Sequence, residues 1–423
     1  MKNNSNVMTM MQNLNVLDNK NILILVSGSI AVYKAIELVS MFKKLGAKVR
    51  VVMSEEAKRF VTPLSFEAIA HTQVLHEQTE SWADEIDGIA CNHIAYARWA
   101  DVAIIAPASA NTLSKLSVGI ADSLILSTVL ACKAPKILAP AMNTVMFESK
   151  QVQESLRRLV DFGFDIIEPR VGLLACNIYG KGAMQEVLEI VFRVCQRLIT
   201  SVYWKDREVI ITGGGSVECI DSVRYLSNHS SGLQASTLAL ALYMLGAKVS
   251  LVSSGFPFEL PLGVHRVEVD DTSSYLMAIK ERIPVDKKVI LFMAAAISDY
   301  VPKIRFESKL KKDKIGDDWQ IDCKKNIDIL KELDDENLFK IGFKAESDSQ
   351  EPQESAKKML ENIHKGGKSC DIVCLNIIGK HNPFGSQNNE MILFSKDSVH
   401  HTGLKSKFEI SFEIADFVKR TLC

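Results

Sequence analysis

The sequence predicts an α/β protein of two domains, each a doubly wound, mostly parallel sheet. Three observations carry this. The chain has 423 residues, too many for one ordinary domain, whereas two domains of roughly 200 fit the usual range. Short, largely apolar runs recur at Asn21 to Val26, Val102 to Ala106, Lys136 to Ala139 and Lys288 to Met293. Each ends in small or turn-forming residues, as expected of strands buried on both faces of a parallel sheet. Finally, LGAKVSLVSS (245–254) echoes LGAKVRVVMS (45–54), so the second half repeats the helix-to-strand exit of the first. The expected boundaries are 21–200 and 201–423, after a flexible N-terminal arm, 1–20.

Composition narrows the function. Hydrophobic residues make up 47% and the formal net charge is -1, so substantial cores are expected and no basic surface argues for nucleic acid. No apolar run reaches the roughly 20 residues of a membrane helix. Met1 to Lys20 is rich in Asn and Met and lacks the apolar centre of a secretory signal. The nine cysteines include no CxxC pair. Such scattered cysteines fit a reducing cytoplasm.

The first domain is read in order. Asn21 to Val26 passes through Ser27-Gly28-Ser29 into a helical pattern from Ile30 to Lys44. Such a helix N-terminus can hold a phosphate, although the full GxGxxG spacing is absent. Lys48 to Met53 is the next strand, with Ser54 at its carboxyl end. His93 opens a short amphipathic segment. Val102 to Ala106 then ends in Pro107-Ala108-Ser109-Ala110-Asn111-Thr112, and Lys136 to Ala139 ends in Pro140-Ala141-Met142-Asn143. Ligands of open α/β sheets bind outside the carboxyl ends of strands, so these side chains mark a cofactor address. A helix (Gln151 to Phe162) and a strand (Asp165 to Glu168) follow. The glycine-rich stretch around Cys176, with Gly172, Gly180 and Gly182, has the length and composition of a mobile flap. A helix from Gln185 to Thr200 closes the domain.

The second domain opens with a strand, Arg207 to Ile211, and the glycine turn Thr212-Gly213-Gly214-Gly215-Ser216. A long polar loop, SVECIDSVRYLSNHSSG, precedes a helix from Gln234; its donors and acceptors beside a glycine turn favour a phosphorylated ligand. Lys288 to Met293 ends in Ala294-Ala295-Ala296-Ile297-Ser298-Asp299-Tyr300. A basic run follows, with Lys303, Lys309, Lys311, Lys312 and Lys314. Strands are expected at Lys340 to Phe343 and Asp371 to Leu375, then a hairpin from Met391 and a terminal helix, Ile410 to Leu422.

Two sets of motifs carry a resemblance. His93 in HIAYARWAD, PASANT (107–112), PAMN (140–143) and Cys176 in a glycine flap resemble the flavin-dependent phosphopantothenoylcysteine decarboxylases. DSVRYLSNHSSG (221–232) and AAAISDY (294–300) resemble phosphopantothenate–cysteine ligase. Their order in one chain resembles the bifunctional bacterial coenzyme A biosynthesis proteins, over nearly all of residues 20–420. The resemblance implies a flavodoxin-like N-terminal domain and a Rossmann-like C-terminal ligase domain. It also shows departures. The flap carries Asn177, Ile178 and Ala183 where that family has Gly, Asp and Arg. Ser216 stands in place of Thr, and Leu233-Gln234-Ala235 in place of Lys-x-Gly.

The implied roles are these. His93 serves acid–base work, Asn143 holds the substrate carboxylate and Cys176 protonates the enethiolate. FMN is implied at Gly28, Ser29, Ile30, Ser54, Ser109, Asn111, Thr112, Asp122 and Met142. In the ligase half, Asn228 stabilises an acyl cytidylate and Lys309 faces the triphosphate. CTP is implied at Met293, Ala294, Ala295, Asp299, Lys309, Asn326, Ile327, Asp328, Ile329, Leu330 and Phe343, with Lys358 or Lys368 on the phosphates and Mg2+ at Asp299. The other substrates are 4'-phosphopantothenate and cysteine, and a cytoplasmic homo-oligomer with flavin sites between subunits is implied. Competing readings are a flavin-dependent decarboxylase of another cysteine substrate, a non-catalytic regulatory flavoprotein, and a nicotinamide dehydrogenase built on Thr212 to Gly215. The ligase-like half opposes the first, the pair His93 and Cys176 the second, and the missing TyrxxxLys pair the third.

Overall fold

In the first half, five strands pair as their burial on both faces requires: β1 (Asn21–Val26), β2 (Lys48–Met53), β3 (Val102–Ala108), β4 (Lys136–Pro140) and β5 (Asp165–Ile166). All neighbours are parallel, in the order β2-β1-β3-β4-β5, which is the flavodoxin-like winding. β3 is buried at every residue, which explains its unbroken apolar run. Leu23, Ile105 and Leu138 of the sheet share one buried cluster with Leu113 and Leu126 of flanking helices. Burying each such side chain contributes about 1.5–3 kcal/mol. The structure is a computed structural model that describes residues 2–311, 318–347, 352–378 and 385–423; Lys312 and Lys314 of the basic run lie outside them.

The second half winds differently. Its principal strands are β6 (Glu208–Gly213), β7 (Lys248–Ser253), β8 (His265–Glu268), β9 (Val289–Met293), β10 (Leu338–Ser347), β11 (Ile372–Ile378), β12 (Met391–Phe394) and β13 (Val399–His401). The order is β8-β7-β6-β9-β10-β11-β12-β13, parallel as far as β11 and antiparallel beyond. Its first six strands follow the 3-2-1-4-5-6 winding of dinucleotide-binding sheets. Tyr275, Leu291, Val373 and Phe394 belong to its buried cluster. Contacts within the chain separate residues 11–199 from a unit of 200–423 together with 1–10.

One local expectation is corrected and two stretches gain secondary structure. Residues 1–20, read as a loose arm, contain the helix Lys2–Asn13. Val7, Met8, Met10 and Met11 are buried, an apolar stripe at helical spacing that the Asn-rich composition conceals. The glycine-rich stretch, read as a mobile flap, contains an antiparallel hairpin, Arg170–Leu173 with Tyr179–Ala183. The polar loop before the second domain's first long helix likewise contains a hairpin, Val217–Cys219 with Tyr225–Ser227. Five of the cysteines (Cys91, Cys132, Cys195, Cys370 and Cys374) are buried, whereas Cys176 and Cys423 are exposed.

Candidate active sites

The carboxyl rim of β1 and β3 is the topological switch point of the first sheet, where ligands of this winding sit. Ser27 Oγ donates to Pro107 O at 2.7 Å and accepts the Ser109 N–H at 2.9 Å, tying the two loops together. Ser109 caps the helix Ala110–Ser117, its oxygen taking the Thr112 N–H at 3.3 Å and lying 3.0 Å from Thr112 Oγ1. Ser54 caps Glu55–Lys58 through Ala57 N–H at 3.1 Å. A Cβ on Gly28 would stand 2.4 Å from Glu56 Cβ, so only glycine fits that turn. The helix Val32–Lys44 starts without a side-chain cap, and beside it Ile30 and Tyr33 expose 57% and 60% of their surface. Hydroxyls, an uncapped helix start and exposed apolar surface fit a phosphate and an aromatic ring system. Asp122 is engaged elsewhere, paired with Lys115 at 2.7 Å, and Asn111 is exposed.

Asn143 and Cys176 meet. Asn143 caps Thr144–Glu148 through its Oδ1, and its Nδ2 donates to Cys176 Sγ at 3.1 Å. The hairpin reaches this position because its second strand lies against residues 142–144. Met142 N donates to Gly182 O at 2.9 Å. A Cβ on Gly182 would sit 2.3 Å from Met142 O, and one on Gly180 would sit 2.4 Å from Thr144 Oγ1. The glycines therefore serve close approach. At the tip, Asn177 has φ +60°, a left-handed conformation that Asn tolerates well. That accounts for Asn standing where a glycine was expected.

His93 opens the helix His93–Trp99, capped by Asn92. Its Nδ1 lies 2.6 Å from Glu80 Oε1, which also accepts the His93 N–H at 3.2 Å. The Trp82 ring stands edge-on to the imidazole, with centroids 5.9 Å apart. Among the described residues no hydrogen bond joins His93 to Asn143 or Cys176. The helix is anchored by Arg50, whose guanidinium lies 4.8 Å from the Tyr96 ring centroid and 5.3 Å from that of Trp99. Glu80 escaped the sequence reading: it lies thirteen residues before His93 in an irregular segment, with no periodicity to link them.

In the second unit the strand ends surround a cavity of about 970 Å³. It gathers Asn228, Met293, Ala294, Ala295, Asp299, Asn326, Ile327, Asp328, Ile329, Leu330, Phe343 and Lys368. Lys309 and Lys358 are exposed and outside this lining. The base of the basic run is nevertheless tied down. The Asp221 carboxylate accepts the N–H groups of Val223 and Arg224 at 2.8 Å and of Leu310 at 3.2 Å, and Arg224 lies over the Trp319 ring at 4.9 Å. The Gly215 turn is equally close-packed, since a Cβ there would meet Asn228 O at 2.6 Å.

The Leu233-Gln234-Ala235 departure is absorbed locally. Gln234 Nε2 donates to Lys407 O at 3.3 Å and Ser411 Oγ at 3.2 Å, docking two helix starts on each other. Lys407 also lines the cavity, and burial lowers its amine below the ordinary lysine range. Sequence reasoning placed the terminal helix start three residues late and so missed it, although Ser406 and Glu409 form a capping box that marks the start. Among the described residues no cluster of three or more His, Cys, Asp or Glu could hold a metal ion, and no helix is long and apolar enough to cross a membrane.

Both halves match known sequence families. The family described as "Flavoprotein" matches residues 10–199, and "DNA/pantothenate metabolism flavoprotein C-terminal domain" matches residues 204–422. The Coenzyme A biosynthesis bifunctional protein CoaBC of Bacillus subtilis (strain 168) is 36% identical over 406 residues, covering 94% of this chain and 96% of that relative. The chain belongs to that family. As another member, the Escherichia coli (strain K12) protein of the same name is 34% identical over 386 residues, covering 90% of this chain and 92% of its own. Among solved structures, a C-terminal domain of such a bifunctional protein is 27% identical with a TM-score of 0.42, covering 52% of this chain and 98% of its own.

Proposed function

We infer that the chain catalyses two consecutive steps of coenzyme A biosynthesis, each in its own unit. Residues 201–423 join cysteine to 4'-phosphopantothenate, and residues 21–200 decarboxylate the resulting 4'-phosphopantothenoylcysteine to 4'-phosphopantetheine. Membership of the bifunctional family over nine-tenths of the chain supports both activities. The contact of Asn143 with Cys176, at 3.1 Å on the rim of a flavodoxin-like sheet, carries the decarboxylase reading.

The decarboxylase uses FMN, held by the turn at Gly28 and Ser29 and by the hydroxyls of Ser54, Ser109 and Thr112, with Ile30 and Met142 beside it. Bound FMN would supply a two-electron oxidation of the substrate's thiol-bearing carbon, so that electrons released with carbon dioxide drain into C=S, and the later return of hydride. Protein groups orient the substrate and move protons. His93 takes and returns a proton through Nε2, Asn143 holds the departing carboxylate with its amide, and Cys176 gives its proton to the enethiolate. The family resemblance further supports a homo-oligomer whose flavin sites are completed between subunits.

The ligase uses CTP. The pantothenate carboxylate attacks the α-phosphorus, pyrophosphate leaves, and the cysteine amine then displaces CMP from the acyl cytidylate. Lys368, in the cavity lining, and Lys309, on the loop that Asp221 anchors beside Leu310, offset phosphate charge. Asp299 would help hold Mg2+ brought in with the nucleotide, since magnesium sites commonly use one or two carboxylates plus substrate phosphates and need no dedicated protein cage, and the ion would supply neutralisation of phosphate charge. Phe343 and the segment 326–330 bound the nucleoside, and Asn228 holds the acyl carbonyl during amine attack. Both reactions run in the cytoplasm. The test is direct: full-length protein given 4'-phosphopantothenate, cysteine, CTP and Mg2+ should be yellow and form 4'-phosphopantetheine with pyrophosphate and carbon dioxide. A colourless protein that takes up no FMN and forms none of these products overturns the reading.

A further inference from the structure

We propose that Glu80 is the positioning residue of the decarboxylase, fixing the imidazole of His93 with Nδ1 protonated and Nε2 free for the substrate. The inference rests on the decarboxylase reading above. Its geometry is local. Glu80 Oε1 lies 2.6 Å from Nδ1 and takes the His93 backbone N–H at 3.2 Å. One oxygen thus holds both the ring and the first residue of its helix. An ionised carboxylate can only accept, so the ring nitrogen facing it carries the hydrogen.

Glu80 is itself held. Its N–H donates to His76 O at 3.0 Å, and the preceding Thr79 hydroxyl donates to Val74 O and accepts the His76 N–H, each at 2.9 Å. The carboxylate therefore comes from a braced turn, not from a mobile surface side chain. Both side chains are about three-quarters buried, each with 23% exposure. Trp82 standing edge-on to the ring restricts the remaining rotation. A carboxylate on the remote nitrogen of a working imidazole fixes its tautomer and ring orientation.

The consequence for the reaction is specific. In its neutral form the ring offers a lone pair at Nε2 and can take the substrate's thiol proton as the thiol carbon is oxidised. In its charged form it holds that proton at the same atom until the product needs it. Without Glu80, the hydrogen is free to sit on Nε2, where it blocks the base.

The test uses the full-length protein with FMN bound, ring-nitrogen NMR of His93 (assigned by comparison with His93→Asn), and separate assays of the two activities. In the wild type, neutral His93 should carry its hydrogen on Nδ1. Glu80→Ala should move it largely to Nε2 and lower kcat for 4'-phosphopantothenoylcysteine decarboxylation by at least about tenfold, up to the roughly 10²–10⁴-fold that a positioned general acid–base group contributes, with KM, bound FMN and ligation little changed. Glu80→Gln, whose amide oxygen can still accept from Nδ1, should restore the tautomer and part of the rate. The proposal is overturned if Glu80→Ala keeps the wild-type kcat, or if wild-type His93 carries its hydrogen on Nε2. A merely structural role would instead lower FMN content and melting temperature, with Glu80→Gln no better than Glu80→Ala. A wild type with the Nδ1 tautomer but no decarboxylation would defeat the functional reading and leave the positioning geometry intact.

Discussion

Cys176 is exposed and receives a single amide hydrogen from Asn143. Serine at this position keeps the size and the Asn143 contact but is a far weaker acid. Cys176→Ser should release carbon dioxide, stop at the oxidised enethiol level and leave the flavin reduced, with saturated product down by about a hundredfold or more. Mass spectrometry of the product and the flavin absorbance check this; normal turnover would remove Cys176 from the mechanism. In the ligase unit the two candidate lysines differ in placement. Lys368 lines the cavity, 3.1 Å from Asp328, while Lys358 is exposed outside it. Lys368→Met should weaken CTP use about 10–100-fold, the value of one or two charged hydrogen bonds, and Lys358→Met should cost little; KM for CTP decides. At this scale the sequence was most legible where chemistry and backbone needs coincide, as at Asn143 and Cys176. It was silent where a partner is brought in by folding alone, as with Glu80 and Gln234.

Among the elements, the glycine-rich hairpin of the first unit makes the sharpest case. Glycine in a sequence reads as freedom, but Gly180 and Gly182 are needed because Thr144 and Met142 press against them, and no sequence pattern announces those neighbours. Gly182→Val forces the hairpin off residues 142–144. Decarboxylation should fall at least tenfold while ligation holds, as measured on one preparation. The Asp221 turn gives a pH prediction. Burial pushes its carboxyl up, but the N–H groups of Val223, Arg224 and Leu310 and the Arg224 guanidinium outweigh this and hold it below the ordinary range. A carboxyl lowered in the folded state contributes stability above its unfolded pKa, about 4, and loses it as pH falls through the folded value. The melting temperature of Asp221→Asn should therefore lie below wild type at pH 7, with the gap closing on acidification below about pH 4. A gap independent of pH would exclude the charge as its source. Strand legibility follows burial. β3 and β9 are buried at every residue and were read directly, whereas β8, carrying His265, Arg266 and Glu268 at an exposed edge, gave no apolar run.

Across the whole molecule, two windings in one chain place two chemistries on separate sheets. The repeat of LGAKV at 45–49 and 245–249 revealed that both halves are α/β; the difference between 2-1-3-4-5 and 3-2-1-4-5-6 orders lies in strand pairing, which no local pattern encodes. Separate sites predict separable losses. His93→Asn should stop decarboxylation and leave CTP-dependent ligation at the wild-type rate, so that 4'-phosphopantothenoylcysteine accumulates. Loss of both activities in a folded variant would refute the division. The distribution of thiols has a practical consequence. Burial pushes the thiols of Cys91 and Cys132 up, Cys370 to about 12, and Cys195 and Cys374 higher still. Alkylating reagents attack the thiolate, so they pass these by. With the half-buried Cys219 and Cys323 and the exposed Cys423 replaced by serine, Cys176 is the one accessible thiol left, and a fluorophore attached there would report from the hairpin tip.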